Sequence, residues 1–169
     1  VGTPYLLRAL SENGYTDLAY TLLLQTEFPS WLYPVTRGAT TMWEHWDGLK
    51  PDGSMWSADM NSFNHYAYGA VGNWLYTRVG GLQMTEPGYR KFQPDPENPG
   101  FRRIRFAPQP DPRMGHVSAS IRTAQGLVAS SWAYEGDKVR YTFTVPAGCT
   151  AVAQIGGAAY ELSAGVHRF

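Results

Sequence analysis

The stretch Thr3–Gln25, "TPYLLRALSENGYTDLAYTLLLQ", decides how the first half of this chain folds. Thr3-Pro4 supplies an N-cap and a first-turn proline, whose missing N–H costs a helix nothing at that position. Gly14 reads as the stop, since glycine accepts the left-handed backbone that ends a helix. Thr16-Asp17 then caps a second run, "LAYTLLLQTEF", which halts before Pro29. Leu6, Leu10, Leu18 and Leu22 recur at helical spacing, so the two runs form a short-looped αα-hairpin.

Downstream, the pattern predicts a further helix from about Ser62 to Val79, ended by Gly80-Gly81. On it Phe63, Ala67, Ala70 and Trp74 share one stripe, and His65, Gly69, Gly72 and Tyr76 another. Glycine inside a helix costs about 1 kcal/mol against alanine. Gly69 and Gly72 therefore predict close approach of a backbone or a ligand on the His65 side. From Glu86 to Pro112 the chain turns proline-rich and irregular, with one strand expected in "RRIRFAP". Beyond it the grammar changes to alternation. Val139, Tyr141, Phe143 and Val145 point one way, Arg140, Thr142 and Thr144 the other. "TAQG", "YEGDK" and "PAGC" punctuate successive runs. The expected fold is thus α and β in separate segments: helices in residues 1–85, then a proline-rich join and an antiparallel β-sandwich in residues 86–169.

The totals narrow the function. Lys and Arg number 14 and Asp and Glu number 14, so no net field draws in nucleic acid or an anionic membrane. Cys149 is the single cysteine, which rules out an internal disulfide. No apolar run approaches the roughly 18 residues of a spanning helix. The N-terminus has neither an initiator Met nor the pattern of a signal peptide, and reads as the interior of a longer protein. Aromatic residues reach 14%, enough to pack a core or to stack on sugar rings.

The chemistry concentrates between the helices. "GATTMWEHWDGLKPDGS" (Gly38–Ser54) and "MNSFNHYAYGAVGNWLY" (Met60–Tyr76) bring together Glu44, Asp47, Asp59, Asn61, Asn64 and His65 with Trp43, Trp46, Trp56 and Tyr66. Carboxylates among indoles are what glycoside hydrolysis asks for: one carboxyl protonates the leaving oxygen, a second attacks or activates water, and flat rings hold the sugar. The plainer reading stands beside it. A lone loop glutamate is usually solvated, a helical histidine is usually a structural imidazole, and tryptophans are usually core. Asp47 and Asp52 precede glycine and read as turn residues. No His pair has metal-ligand spacing, and no cofactor is expected.

These two motifs and the opening "GTPYLLRALSENGYTDLAYTLLLQ" closely resemble bacterial α-L-rhamnosidases of glycoside hydrolase family 78, densely over Gly2–Leu82 and more loosely beyond. The resemblance implies the last helices of an (α/α)6-barrel catalytic domain, followed by a C-terminal β-sandwich. It implies an inverting mechanism in which Glu44 is the general base and His65 lies against the bound rhamnose. Trp43, Trp46 and Asn64 share the motifs as pocket-wall candidates. His45 departs from the family, where arginine is common. The general acid is expected upstream of Val1, so the isolated chain is expected to be inactive. The implied partners are rhamnose-containing glycosides and the missing N-terminal part of the enzyme, or a second copy of the chain. The competing readings are another inverting (α/α)6 glycosidase, a carbohydrate-binding module, or a structural accessory unit.

Overall fold

The computed structural model describes residues 2–85, 89–90, 93–94 and 100–169. Within the proline-rich join, residues 86–88, 91–92 and 95–99 therefore lie outside the described residues. Contacts divide the chain into two compact units, Val1–Trp74 and Leu75–Phe169.

The first unit opens with the predicted hairpin, α1 (Thr3–Glu12) and α2 (Thr16–Leu24). Pro4 sits in the first turn of α1, but Gly2 is the N-cap and no side chain caps either helix. Gly14 takes a φ of 85° and the Tyr15 N–H returns to the Leu10 carbonyl at 2.9 Å, which ends α1 and aims the chain into α2. Leu7, Ser11, Ala19, Tyr20 and Leu23 face inward. Trp74 closes the packing edge-on to Tyr20, with ring centroids 5.1 Å apart. Its indole N–H donates to the buried Ser11 hydroxyl at 2.8 Å, so the one polar atom of the ring does not go unpaired.

Two predicted helices are shorter than their patterns suggested. The second stops at Leu24 rather than Phe28, because Gln25 is already extended (ψ 134°). A short helix not read from the sequence, α3 (Leu32–Thr36), follows. The helix expected from Ser62 begins at Tyr66, since His65 is extended and acts as its N-cap. In this unit it comprises α4 (Tyr66–Gly69) and α5 (Val71–Trp74). Phe63 and His65 consequently belong to the preceding loop and not to helical stripes. No backbone approaches the two glycines closely among the described residues. A Cβ on Gly69 would meet only the Met42 side chain at an ordinary 3.7 Å, and one on Gly72 would meet nothing within 4 Å.

The second unit begins with a π-helical turn, Leu75–Val79, and continues as β-structure. Its strands are β1 (Leu82–Met84), β2 (Tyr89–Arg90), β3 (Gln93–Pro94), β4 (Arg103–Phe106), β5 (His116–Thr123), β6 (Gly126–Glu135), β7 (Lys138–Val145), β8 (Thr150–Ile155), β9 (Ala158–Leu162) and β10 (Gly165–Arg168). One sheet has the order β1-β4-β8-β9, another β10-β7-β6-β5, and β2 pairs with β3. Among the described residues the strand pairings are antiparallel except β4 with β8, which run parallel. The inward residues of the two four-stranded sheets make one core: Leu82, Ile104, Phe106, Ala151, Ala153 and Leu162 from the first, Val128, Phe143 and Val145 from the second. Phe106 stacks on Phe143 at 4.6 Å within this core. The π turn is sewn to the β-structure by Trp132, whose indole N–H donates to the Val79 carbonyl at 2.7 Å. Gly81 is confined there by geometry, with φ 72° and space for a Cβ only 2.2 Å from the Pro108 nitrogen.

Candidate functional site

The site is built by two segments of the first unit that clasp each other through their backbones. The His65 N–H donates to the Met42 carbonyl at 2.8 Å, and the Glu44 N–H donates to the Ser62 carbonyl at 2.8 Å. The Thr41 hydroxyl donates to the Phe63 carbonyl. This ladder fixes residues 41–44 against residues 62–65, so two motifs separated in sequence become one structure.

Glu44 is half-buried, and its Oε2 accepts the Ser62 N–H at 3.0 Å. Its other oxygen carries no protein hydrogen bond among the described residues. One lone-pair face is thus used to orient the carboxylate and the other remains available to water or a hydroxyl. His65 is also half-buried and uses Nδ1 to accept the Ala67 N–H at 3.1 Å. With Nδ1 accepting, the ring proton resides on Nε2, which makes that atom a donor suited to a sugar hydroxyl.

The aromatic residues separate into different environments. Trp43 is buried at 4% exposure, edge-on to Phe63 at 5.3 Å, and so packs beneath the clasp. Trp46 is half-buried, flat on Tyr68 at 3.6 Å and edge-on to Trp31 at 5.2 Å. Trp31 in turn donates its indole N–H to the Tyr68 carbonyl at 3.0 Å. The Tyr68 hydroxyl is pushed above its ordinary pKa by burial and, secondarily, by the nearby Asp47 carboxylate. Asp47 itself sits in the turn that the Gly48 N–H closes on the His45 carbonyl at 3.1 Å, as its place before glycine suggested. His45 lies flat on Trp56, with centroids 3.7 Å apart and planes 15° apart. Asn64 is exposed and donates its backbone N–H to the Ser62 hydroxyl at 3.2 Å. Asp59 is exposed; its N–H donates to the Ser57 hydroxyl at 3.2 Å.

The intervening loop is itself ordered by hydrogen bonds. The Asn61 amide donates to the Gly48 carbonyl at 2.9 Å, and the Trp56 N–H donates to the same carbonyl at 3.1 Å. Asp52 acts as the expected turn residue, accepting from the Ser54 hydroxyl and backbone N–H, which hold its carboxyl below the usual carboxylate range. Sequence reasoning missed Ser62, whose contribution is main-chain, and Trp31, in a segment without a distinctive pattern. Tyr68 carried a readable signal, standing three residues after His65.

Among the described residues no group of His, Cys, Asp and Glu is arranged to hold a metal ion, and no helix is long and apolar enough to cross a membrane. The backbone clasp thus holds a carboxylate and an imidazole within a helical unit that is followed in the chain by two four-stranded sheets. The chain belongs to the bacterial α-L-rhamnosidase family: residues 1–79 match the bacterial α-L-rhamnosidase 6 hairpin glycosidase domain, and residues 81–169 the bacterial α-L-rhamnosidase C-terminal domain.

An α-L-rhamnosidase from Streptomyces avermitilis is 36% identical over all of this chain, which covers 17% of that protein. A crystal structure of the Streptomyces avermitilis α-L-rhamnosidase complexed with L-rhamnose superposes with a TM-score of 0.85, over 99% of this chain and 17% of that one, at 36% identity. The native α-L-rhamnosidase of Aspergillus terreus gives 0.87, over 99% of this chain and 18% of that one, also at 36% identity. The chain thus spans about a sixth of the length of these relatives.

Proposed function

We propose that this chain is the C-terminal part of an α-L-rhamnosidase that removes terminal α-L-rhamnosyl residues from glycosides with inversion. Glu44 acts as the general base. The observation that carries this reading is the orientation of Glu44: one oxygen is held by the Ser62 N–H while the other has no protein hydrogen bond among the described residues. An inverting base must stay ionised and hold a water against the anomeric carbon, opposite the acid, at a carboxyl separation of roughly 6.5–9.5 Å. The Ser62 N–H on Oε2 fixes the direction of the carboxylate. His65 supplies an Nε2 donor for a hydroxyl of the rhamnosyl ring. Trp46 and Asn64 border the site, and Trp43 supports it from beneath.

The general acid belongs to a preceding part of the barrel. The hairpin residues Tyr5, Leu6 and Leu18, 69%, 41% and 45% exposed, pack on that part in the full enzyme. Self-association of the isolated chain is the competing arrangement. The division at residue 85 read from the sequence stands as a proposal beside the contact boundary at Trp74–Leu75. Limited proteolysis yielding a product that starts near residue 86 supports it, and one that starts near residue 75 replaces it.

The experiment is a comparison of aryl α-L-rhamnoside hydrolysis by the isolated 169-residue chain and by the full-length enzyme containing it. The full-length enzyme is expected to turn the substrate over and the isolated chain is expected to be inactive. Comparable rates from both would overturn the division of acid and base.

A further inference from the structure

Of the six tryptophans, Trp31, Trp43, Trp74 and Trp132 are buried, Trp46 is half-buried, and Trp56 alone is exposed, at 43%. An indole left open to water is unfavourable by its apolar area unless something else covers it in use. This one is also rigidly placed. The Trp56 backbone N–H donates to the Gly48 carbonyl, and Leu49 bridges to Met55 directly before it, which fixes the main chain that carries the ring. The hairpin tip is closed by the Lys50 N–H on the Ser54 carbonyl at 2.8 Å and by the Asp52–Ser54 turn. One face of the ring is backed by the His45 imidazole at 3.7 Å. His45 follows Glu44 directly in the chain, so the shelf stands one residue from the carboxylate. Met55 and Met60, 55% and 69% exposed, are the other large apolar side chains exposed in this loop.

We infer that His45 and Trp56 form a binding shelf for a ring of the substrate other than the rhamnosyl ring being released. The ligand class is a rhamnoside whose leaving group presents a flat face, either a pyranose or an aromatic ring. The indole offers a π face to the axial C–H groups or to the aryl plane, and the imidazole behind it prevents the indole from tilting away. The shelf therefore governs which rhamnosides are preferred and leaves the bond-breaking chemistry to Glu44 and the acid. This rests on the rhamnosidase reading above.

The test uses the full-length enzyme and two substrates, an α-L-rhamnosyl glucoside and methyl α-L-rhamnoside. In Trp56→Ala, the ratio of kcat/KM for the glucoside to that for the methyl rhamnoside is expected to fall about tenfold, mainly through KM, which is the scale of one lost aromatic stack. Trp56→Phe keeps a flat ring and is expected to retain most of the ratio. A ratio unchanged in both variants, or an equal loss on both substrates, overturns the shelf while leaving the rhamnosidase reading intact. A wild-type enzyme that hydrolyses neither substrate overturns the rhamnosidase reading itself.

Discussion

Glu44 and Ser62 bond each other twice: the Glu44 N–H donates to the Ser62 carbonyl at 2.8 Å, and the Ser62 N–H donates to Glu44 Oε2 at 3.0 Å. The same pairing that joins two loops thus sets the direction of the carboxylate. Nothing in the Ser62 side chain is needed for this. A main-chain donor positions Glu44 whatever residue stands at position 62, provided it is not proline, which lacks the N–H.

His65 has two separable duties. Its Nδ1 caps α4, and its Nε2 carries the donor assigned to substrate. Asparagine is a good N-cap, whereas alanine leaves the cap unmade at a cost of about 0.5–2 kcal/mol. In the full-length enzyme His65→Asn should keep the thermal midpoint close to wild type while raising KM for an aryl α-L-rhamnoside severalfold. His65→Ala should lose in both measurements. An unchanged KM in the asparagine variant would remove the histidine from substrate binding.

The β-unit carries an acid-sensitive contact. The Asp111 carboxyl is held below the usual carboxylate range by hydrogen bonds from the Arg113 guanidinium, against the opposing push of burial, and a further bond comes from the Arg113 backbone N–H. A depressed folded pKa adds stability that is complete above the unfolded value of about 3.9 and fades as pH falls through the folded value. Asp111→Asn should therefore lower the thermal midpoint near neutral pH, and the gap to wild type should narrow on acidification to about pH 3. A gap that does not change with pH would show that the ion pair is energetically silent.

Much of the fold was legible because its signals are local. Leu6, Leu10, Leu18 and Leu22 announce a hairpin by spacing, although the face that is buried carries Leu7, Tyr20 and Leu23 and leaves Leu6 and Leu18 exposed. Phe143 and Val145 announce a strand by alternation. The strand runs and their turns after residue 112 follow the predicted punctuation closely. What failed to show was set by contacts distant in sequence. Helix α4 begins late because the His65 N–H is drawn to Met42, a competition that propensity at Ser62–Asn64 does not reveal. The parallel pairing of β4 with β8 is likewise a matter of topology, since Ile104 and Ala151 would read the same in either direction. At the site, the sequence named Glu44 and His65 through motif resemblance, while their common clasp and the shelf of His45 on Trp56 depended on the closure of residues 44–62.

The measurement that tests the central claim most directly is turnover by Glu44→Gln in the full-length enzyme, together with its affinity for L-rhamnose. Glutamine preserves the size of the side chain and an oxygen for the Ser62 N–H, but it cannot take a proton from water. Loss of a positioned general base costs about 10²–10⁴-fold, so kcat on an aryl α-L-rhamnoside should fall by that order with L-rhamnose binding retained. A kcat within a few-fold of wild type would contradict the assignment of Glu44 as the base.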